Sequence, residues 1–309
     1  MRLGNGRGLY SGGVEGGSGF YERVLGLLEL VKFPHTVFSL PFAVMSAFLA
    51  AQGVPTLKEV LLIVGALVMA RNCAMGFNRL ADTHYDATNP RTVQWIILQR
   101  QVGRKTLQLF TFVTALLFVA FTALLNRHTL ILSPVALAVI LGYSYTKRVS
   151  FLSHFFLGLA LALAPLGAWV AIRGSFDVAP CLLALAVLLW TAGFDVIYAC
   201  QDVEHDRHMG LHSIPKNLGV KRALQISSLL HLLMVVVLLL LMRYADLGII
   251  YLLGVCTTAC LLFYEHRLVR PEDLSRVGTA FFTVNGFISL ALMTATLADI
   301  FLFSARPGG

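Results

Sequence analysis

Nine apolar runs, each roughly long enough to cross about 30 Å of hydrocarbon, dominate this chain of 309 residues. Lipid offers the backbone no hydrogen-bond partners, so runs of this kind fold as helices that satisfy their own N–H and C=O groups. They fall at 33–51, 57–80, 106–125, 130–145, 151–172, 179–201, 223–242, 247–264 and 277–303. The first is expected to bend at Pro34 and Pro41, and the fourth, the shortest, to tilt little. Composition agrees: 57% of residues are hydrophobic and 13% charged, about half the charged share of a soluble domain. Mean hydropathy is +0.77. The expected fold is all-α, a polytopic membrane bundle of about nine transmembrane helices.

Charge placement orients the bundle. With nine spans the connections alternate sides. Of the 24 Lys and Arg residues, only Lys58, Arg127, Arg173, Arg243 and Arg306 fall on the side opposite the N-terminus, and only Arg71 sits well inside a span. Cationic loops stay in the cytoplasm. The N-terminus is therefore expected inside, and the net charge of +8 is read as topology rather than nucleic-acid binding. The Gly- and Ser-rich segment Met1–Phe20 lacks the apolar stretch of a signal peptide. Gly4, Gly6 and Gly8 have no strand before them, so the segment is read as a flexible tail rather than a phosphate loop. Arg23–Lys32 reads as an amphipathic lead-in to one transmembrane domain spanning 21–309. Five cysteines, Cys73, Cys181, Cys200, Cys256 and Cys260, form no CxxC pair and are expected to be buried small hydrophobes.

Two acidic stripes interrupt this apolar pattern. Asn78, Asp82 and Asp86 recur every four residues at the end of the second run, which places them on one helix face. Asp195, Asp202 and Asp206, at spacings of seven and four, share a face at the end of the sixth. Carboxylates this close to hydrocarbon need a positive partner. The same side carries Asn89-Pro90-Arg91-Thr92, Arg100, Arg104, Tyr143 to Arg148, and Ser213 with Lys216. Carboxylates favour a hard divalent cation, and Mg²⁺ typically completes its shell with substrate phosphate. Lys and Arg cap remaining phosphate charge. A ligand with a diphosphate head and a lipid tail fits such a mouth above an apolar bundle, which gives one cytoplasm-facing cavity.

At these residues the chain resembles the UbiA superfamily of intramembrane aromatic prenyltransferases. The first motif of that family, N-x-x-x-D-x-x-x-D, stands as Asn78, Asp82 and Asp86, and the second as Asp202 and Asp206. The likeness runs from about Leu28 and includes Lys32-Phe-Pro-His35, Tyr143 to Arg148, Asp195 to Asp202 and Ser213-Ile-Pro-Lys216. It is nearest in wording to the 4-hydroxybenzoate and dihydroxynaphthoate polyprenyltransferases of quinone synthesis. The resemblance implies Mg²⁺ held by Asp82, Asp86, Asp202 and Asp206, with Lys147 assisting the departure of diphosphate from a polyprenyl diphosphate. A hydroxylated aromatic acid, 4-hydroxybenzoate or 1,4-dihydroxy-6-naphthoate, then traps the allylic cation. Arg71 joins the catalytic set, and Asn78, Tyr143, Arg148, Asp195, Ser213 and Lys216 the substrate-binding set. The expected setting is the cell inner membrane, with the site cytoplasmic. Val93–Arg100 departs from the family pattern: a basic residue expected near Trp95 is missing, with Arg100 as its replacement.

Plainer readings stand beside these. The aspartates are otherwise solvated helix ends, Lys147 and Arg148 topology anchors, and Tyr143 and Tyr145 members of the interfacial aromatic belt. His154 is expected to be a satisfied helix-start histidine rather than an acceptor contact, and Asn285 an interhelical hydrogen bond. Arg71, seven residues before Asn78 and on nearly the same face, points towards the site. The rival class is a transporter, which calls for acids near mid-membrane on broken helices. The rival chemistry is prenyl transfer to haem, chlorophyll or a glycerol lipid.

Overall fold

The computed structural model describes residues 26–27, 29–30 and 38–303. The expected tail, most of the lead-in and the segment 31–37, with Pro34, lie outside the described residues. Nine apolar helices follow in order: α1 (Leu40–Ala51), α2 (Leu57–Ala81), α3 (Arg104–Leu125), α4 (Arg127–Val149), α5 (Ser153–Arg173), α6 (Val178–Ala199), α7 (Val220–Tyr244), α8 (Ile249–Leu268) and α9 (Val277–Leu302). Among the described residues, eight are long and apolar enough to cross a membrane, and α1 is a shorter apolar helix.

Two expectations change at the helix ends. Pro41 sits in the first turn of α1 and so starts this helix rather than bending it, because its missing N–H is an orphan there anyway. The fourth span is not short: α4 has 23 residues. Its polar ends escape a hydropathy reading. Asn126 begins it with a reciprocal cap, accepting from Thr129 N at 2.9 Å while its own N donates to Thr129 Oγ1 at 3.2 Å. At the other end the helix runs through Lys147 and Arg148.

Neighbours in sequence are neighbours in space. Each of α2 to α8 packs against the helix that follows it, and α1 lies inside this ring, between α5 and α9. Phe42 and Met45 of α1 are fully buried. The most enclosed helix is α6, whose Leu183, Val187, Trp190 and Ile197 are sealed from solvent. The outer faces are apolar instead: Leu109, Phe112 and Leu116 on α3, and Leu229, Leu232 and Val236 on α7, are exposed at helical spacing. This is the surface a bilayer covers. Cys181, Cys256 and Cys260 lie on exposed faces and only Cys73 and Cys200 are buried. That corrects the sequence reading, since lipid accepts a small apolar thiol as readily as a core does.

Lipid gives helices no hydrophobic drive to associate, so close van der Waals packing of small residues carries much of the stability. Gly158 on α5 shows how close: a Cβ there would stand 2.5 Å from the carbonyl oxygen of Leu188 on α6. A backbone oxygen cannot rotate aside, so Gly158→Ala forces α5 and α6 apart. We expect it to lower stability by about 1–3 kcal/mol, read as a fall in thermal midpoint in detergent. Gly142→Ala, where a Cβ meets nothing within 4 Å, should leave the midpoint unchanged or raise it.

Candidate active site

Both acidic stripes are broken at their middle aspartate. Regular α2 ends at Ala81; Asp82 takes φ −95°, ψ 9°, and a short helix Thr83–Asp86 follows. After α6, a tight turn Cys200–Asp202 leads to Asp202 at φ −101°, ψ 6°, then to the short helix Val203–His208. Neither stripe therefore lies on one continuous helix, as the spacing alone implied. Both aspartates occupy the sparsely populated bridge region. At the first break the cause is local: the Thr83 hydroxyl donates to the carbonyls of Arg79 (2.9 Å) and Leu80 (3.1 Å) and competes with helix bonding. The bond from Asp86 N to Asp82 O, 2.8 Å, keeps the two carboxylates together across the break.

Each aspartate is answered by a group from elsewhere in the chain or earlier in its helix. Arg148 Nη2 donates to Asp82 Oδ1 at 3.0 Å and to Ala81 O at 2.8 Å, which ties α4 to the end of α2. Asn78 Nδ2 reaches the other Asp82 oxygen at 2.8 Å. Arg79 pairs with Asp86 at 3.3 Å, and its Cζ lies over the Trp95 ring, 3.4 Å from the centroid. Arg91 grips Asp202 with two bonds, 3.1 and 2.6 Å, and donates to the Tyr198 hydroxyl at 2.8 Å. Asn89 adds a third bond to Asp202 at 3.1 Å. Ser213 Oγ donates to Asp206 at 2.6 Å. Burial pushes the Asp82 and Asp86 carboxyls up from the ordinary carboxylate value, against the downward pull of Arg148 and Arg79. Burial works against the charge of Arg91, but Asp202 outweighs it and holds the guanidinium above its usual value.

These groups rim two adjoining spaces. A pocket of about 90 Å³ is lined by all four expected metal ligands, Asp82, Asp86, Asp202 and Asp206, with Asn78, Arg91, Tyr143, Lys147 and Arg148. A larger cavity of about 500 Å³ shares Asn78, Asp82, Asp86, Arg91, Tyr143, Lys147 and Asp202 with it. It extends down between α1 to α6 past Asp195 and Arg71 into a lining of Leu, Ile, Val, Ala and Phe side chains. Lys147 feels the fields of Asp206, Asp195 and Asp202 together. Arg71 has no carboxylate partner among the described residues, and its Nε is buried without a hydrogen bond.

Other expected residues fall differently. Lys216 lines neither space; its backbone N donates to Ser213 Oγ, and Ser213 reaches the site only through Asp206. Arg100 is exposed and lines neither space, so it does not replace the basic group missing near Trp95. Arg79 of α2 lies over the Trp95 ring, and the atypical segment folds as a helix, Val93–Val102, of which Trp95 lines the larger cavity. The two tyrosines separate: Tyr143 lines both spaces, whereas Tyr145 is exposed. His154 is fully buried and satisfied, with Nδ1 2.6 Å from Asp195 and Nε2 accepting from Ile214 N at 3.3 Å. The second bond makes Nδ1 the protonated nitrogen, so it donates to Asp195. Asn285 makes interhelical bonds as expected. Sequence reasoning placed Asn89 and Arg91 at the mouth without a role and did not assign Arg79, Trp95 or Tyr198 to the site. The one available signal was the Asn89-Pro90-Arg91 run close behind the first motif.

Among the described residues, no three His, Cys, Asp or Glu side chains form a ready-made ion cage. The donors still suit Mg²⁺. Two pairs of carboxylates line one small pocket, and Mg²⁺ is commonly held by one or two carboxylates plus substrate phosphate oxygens rather than by an all-protein cage.

The His154–Asp195 pair generates a stability prediction. His154→Leu would leave the largely buried Asp195 carboxylate without its donor and Ile214 N without its acceptor. We expect a loss of about 3 kcal/mol, measured by thermal unfolding in detergent.

Residues 39–291 match the UbiA prenyltransferase family. The chain is 31% identical over 255 residues to a 4-hydroxybenzoate octaprenyltransferase of Pseudomonas aeruginosa, covering 82% of this chain and 85% of that protein. It is 29% identical over 268 residues to the enzyme of the same name from Aeromonas hydrophila, covering 85% and 93%. Among solved structures, the apo form of a UbiA homolog from Aeropyrum pernix K1 superposes with a TM-score of 0.79 at 32% identity, over 86% of this chain and 98% of that one. A UbiA homolog from Archaeoglobus fulgidus bound to GPP and Mg²⁺ shares the fold with a TM-score of 0.66 at 19% identity, over 90% and 100%. Sequence and fold agree over the same stretch of chain that builds the two aspartate breaks, and the protein belongs to the UbiA prenyltransferase family.

Proposed function

We propose that this protein is an integral-membrane aromatic prenyltransferase. It moves a polyprenyl group from polyprenyl diphosphate onto a hydroxylated aromatic acid in quinone synthesis, with 4-hydroxybenzoate ahead of 1,4-dihydroxy-6-naphthoate. The observation that carries this reading is a shared lining: Asp82, Asp86, Arg91, Lys147 and Asp202 face both the small polar pocket and an otherwise apolar cavity of about 500 Å³. Such a space accepts a charged head and a hydrocarbon tail at once. The names of the curated relatives support the choice of acid.

In this reading Asp82, Asp86, Asp202 and Asp206 hold Mg²⁺, which supplies neutralisation of the negative charge that builds on the leaving group. Lys147, Arg91 and Arg148 cap the remaining diphosphate charge. The C–O bond of the donor breaks and its electron pair leaves with diphosphate. The allylic cation meets the activated ring in a space whose apolar walls keep water away, and the ring then loses a proton. Asn78 orients Asp82, and Ser213 orients Asp206. Tyr143 and Lys147 line both spaces, at the junction of head and tail, and Asp195 lines the larger one below them. Arg71 is the spare cation: every arginine at the mouth has a carboxylate, and Arg71 has none among the described residues. It is placed to pair with the carboxylate of the acceptor. The excess of Lys and Arg on one side supports a cytoplasmic N-terminus and mouth in an inner membrane, with one domain over residues 21–309. Acids gathered at one end of the bundle, rather than at mid-membrane, speak against a transporter.

Purified protein in liposomes, given labelled polyprenyl diphosphate and each acid in turn, tests the proposal. We expect Asp82→Ala and Asp202→Ala each to lower turnover by about a thousandfold, and chelator to abolish it. Arg71→Ala should raise the KM for the acid by about tenfold to a hundredfold while leaving that for the donor near its original value. Prenylation of haem or of a glycerol phosphate in place of either acid would overturn the acceptor assignment.

A further inference from the structure

A second buried polar assembly joins α6, α8 and α9 away from the mouth. Trp190, Glu265 and Asn285 are each fully buried. Trp190 Nε1 donates to Asn285 Oδ1 at 2.6 Å, and Asn285 Nδ2 donates to Glu265 Oε1 at 3.0 Å. The same amide nitrogen also faces the carbonyls of Ala280 (3.1 Å) and Phe281 (3.3 Å). The backbone there is a π turn, Ala280–Val284, inside α9. Such a turn inserts a residue and disturbs the regular bonding of the preceding carbonyls, and it is frequent at functional sites. Here Asn285 serves those carbonyls. Glu265 Oε2 has no hydrogen-bond partner, and His231 Nδ1 stands 3.9 Å away. A buried acid so poorly matched within a membrane bundle is costly, and its one good contact is the Asn285 amide.

The π turn carries two cavity walls. Phe281 and Phe282 both line the cavity of about 500 Å³. Phe281 lies 4.2 Å from Tyr198, centroid to centroid, and meets Phe194 edge-on at 5.1 Å. Tyr198 is the residue whose hydroxyl accepts from Arg91, and Arg91 holds Asp202. A single line of contacts thus runs from Glu265 through Asn285, the π turn, Phe281 and Tyr198 to the acidic mouth.

We propose that Asn285, anchored by Glu265 and Trp190, is a positioning residue that holds the Phe281 ring against Tyr198, forming the aromatic wall beside which the allylic cation develops. The inference rests on the prenyl transfer proposed above. Aromatic faces attract cations, and a packed wall denies water the cation. With the wall in place, the cation bonds to a ring carbon of the acceptor and the ring proton leaves. With the wall loosened, water bonds to the cation instead, and loss of a proton gives the prenyl alcohol.

The experiment measures, in liposomes, the ratio of prenylated acid to prenyl alcohol together with kcat and KM. Phe281→Leu and Asn285→Leu should raise the alcohol share by about tenfold and lower kcat, with the KM for the donor little changed. Phe281→Tyr should keep the original ratio. So should Glu265→Gln, whose side-chain oxygen still accepts from Asn285, whereas Glu265→Leu should behave like Asn285→Leu. An unchanged ratio in Phe281→Leu overturns the inference even if kcat falls, and that variant decides the matter if the Asn285 and Glu265 variants fail to fold. Wild-type protein that prenylates neither acid overturns the proposed function. Wild-type transfer with a ratio indifferent to these substitutions overturns only the aromatic wall.

Discussion

Carboxylates cannot stand bare at the edge of hydrocarbon, and the architecture of the mouth follows from how each is neutralised. Asp82 draws in Arg148 from the end of α4. Asp202 draws in Arg91 from the connection between α2 and α3. These pairs are also the ties that bring three helix ends and a loop to one place. The electrostatics that permit burial are therefore the same interactions that build the pocket.

The helices divide the labour. The large cavity is lined from α1 to α6 and from the π turn of α9. α7 buttresses α6 from behind, with Met234, Leu238 and Leu241 fully buried, and α8 packs on α7 in turn, where the Tyr251 hydroxyl donates to Leu238 O at 3.0 Å. That leaves α6 held on both sides, with Gly158 of α5 against one face and α7 against the other. A helix so confined is a firm base for the turn that carries Asp202.

Hydropathy made the bundle legible, because apolar length alone dictates helices in lipid. It understated α4, whose capped start at Asn126 and cationic end at Lys147 are helical without being apolar. The aspartate spacing located the site, yet it hid the breaks at Asp82 and Asp202. The first of these depends on a hydroxyl, Thr83, competing for backbone carbonyls. Partners from distant positions were the least legible. Arg79 supplies the cation at Trp95, although Arg100 was nearer in sequence. Lys216 follows Ser213 by three residues and still lines neither space. Local spacing fixes neighbours on one element; which residue arrives from another is decided by the fold.

The ionisable side chains around the two spaces also add up to a balance. Asp82, Asp86, Asp195, Asp202 and Asp206 stand against Arg71, Arg79, Arg91, Lys147 and Arg148, five formal negative charges and five positive. A mouth with no net charge casts little field beyond a Debye length of about 8 Å at physiological salt. These ten side chains add no net long-range pull of their own on a free anion or a free cation in water. A donor anchored by its tail arrives another way, by diffusing in the plane of the bilayer until its head meets the rim. Capture then turns on partition into the membrane and lateral search.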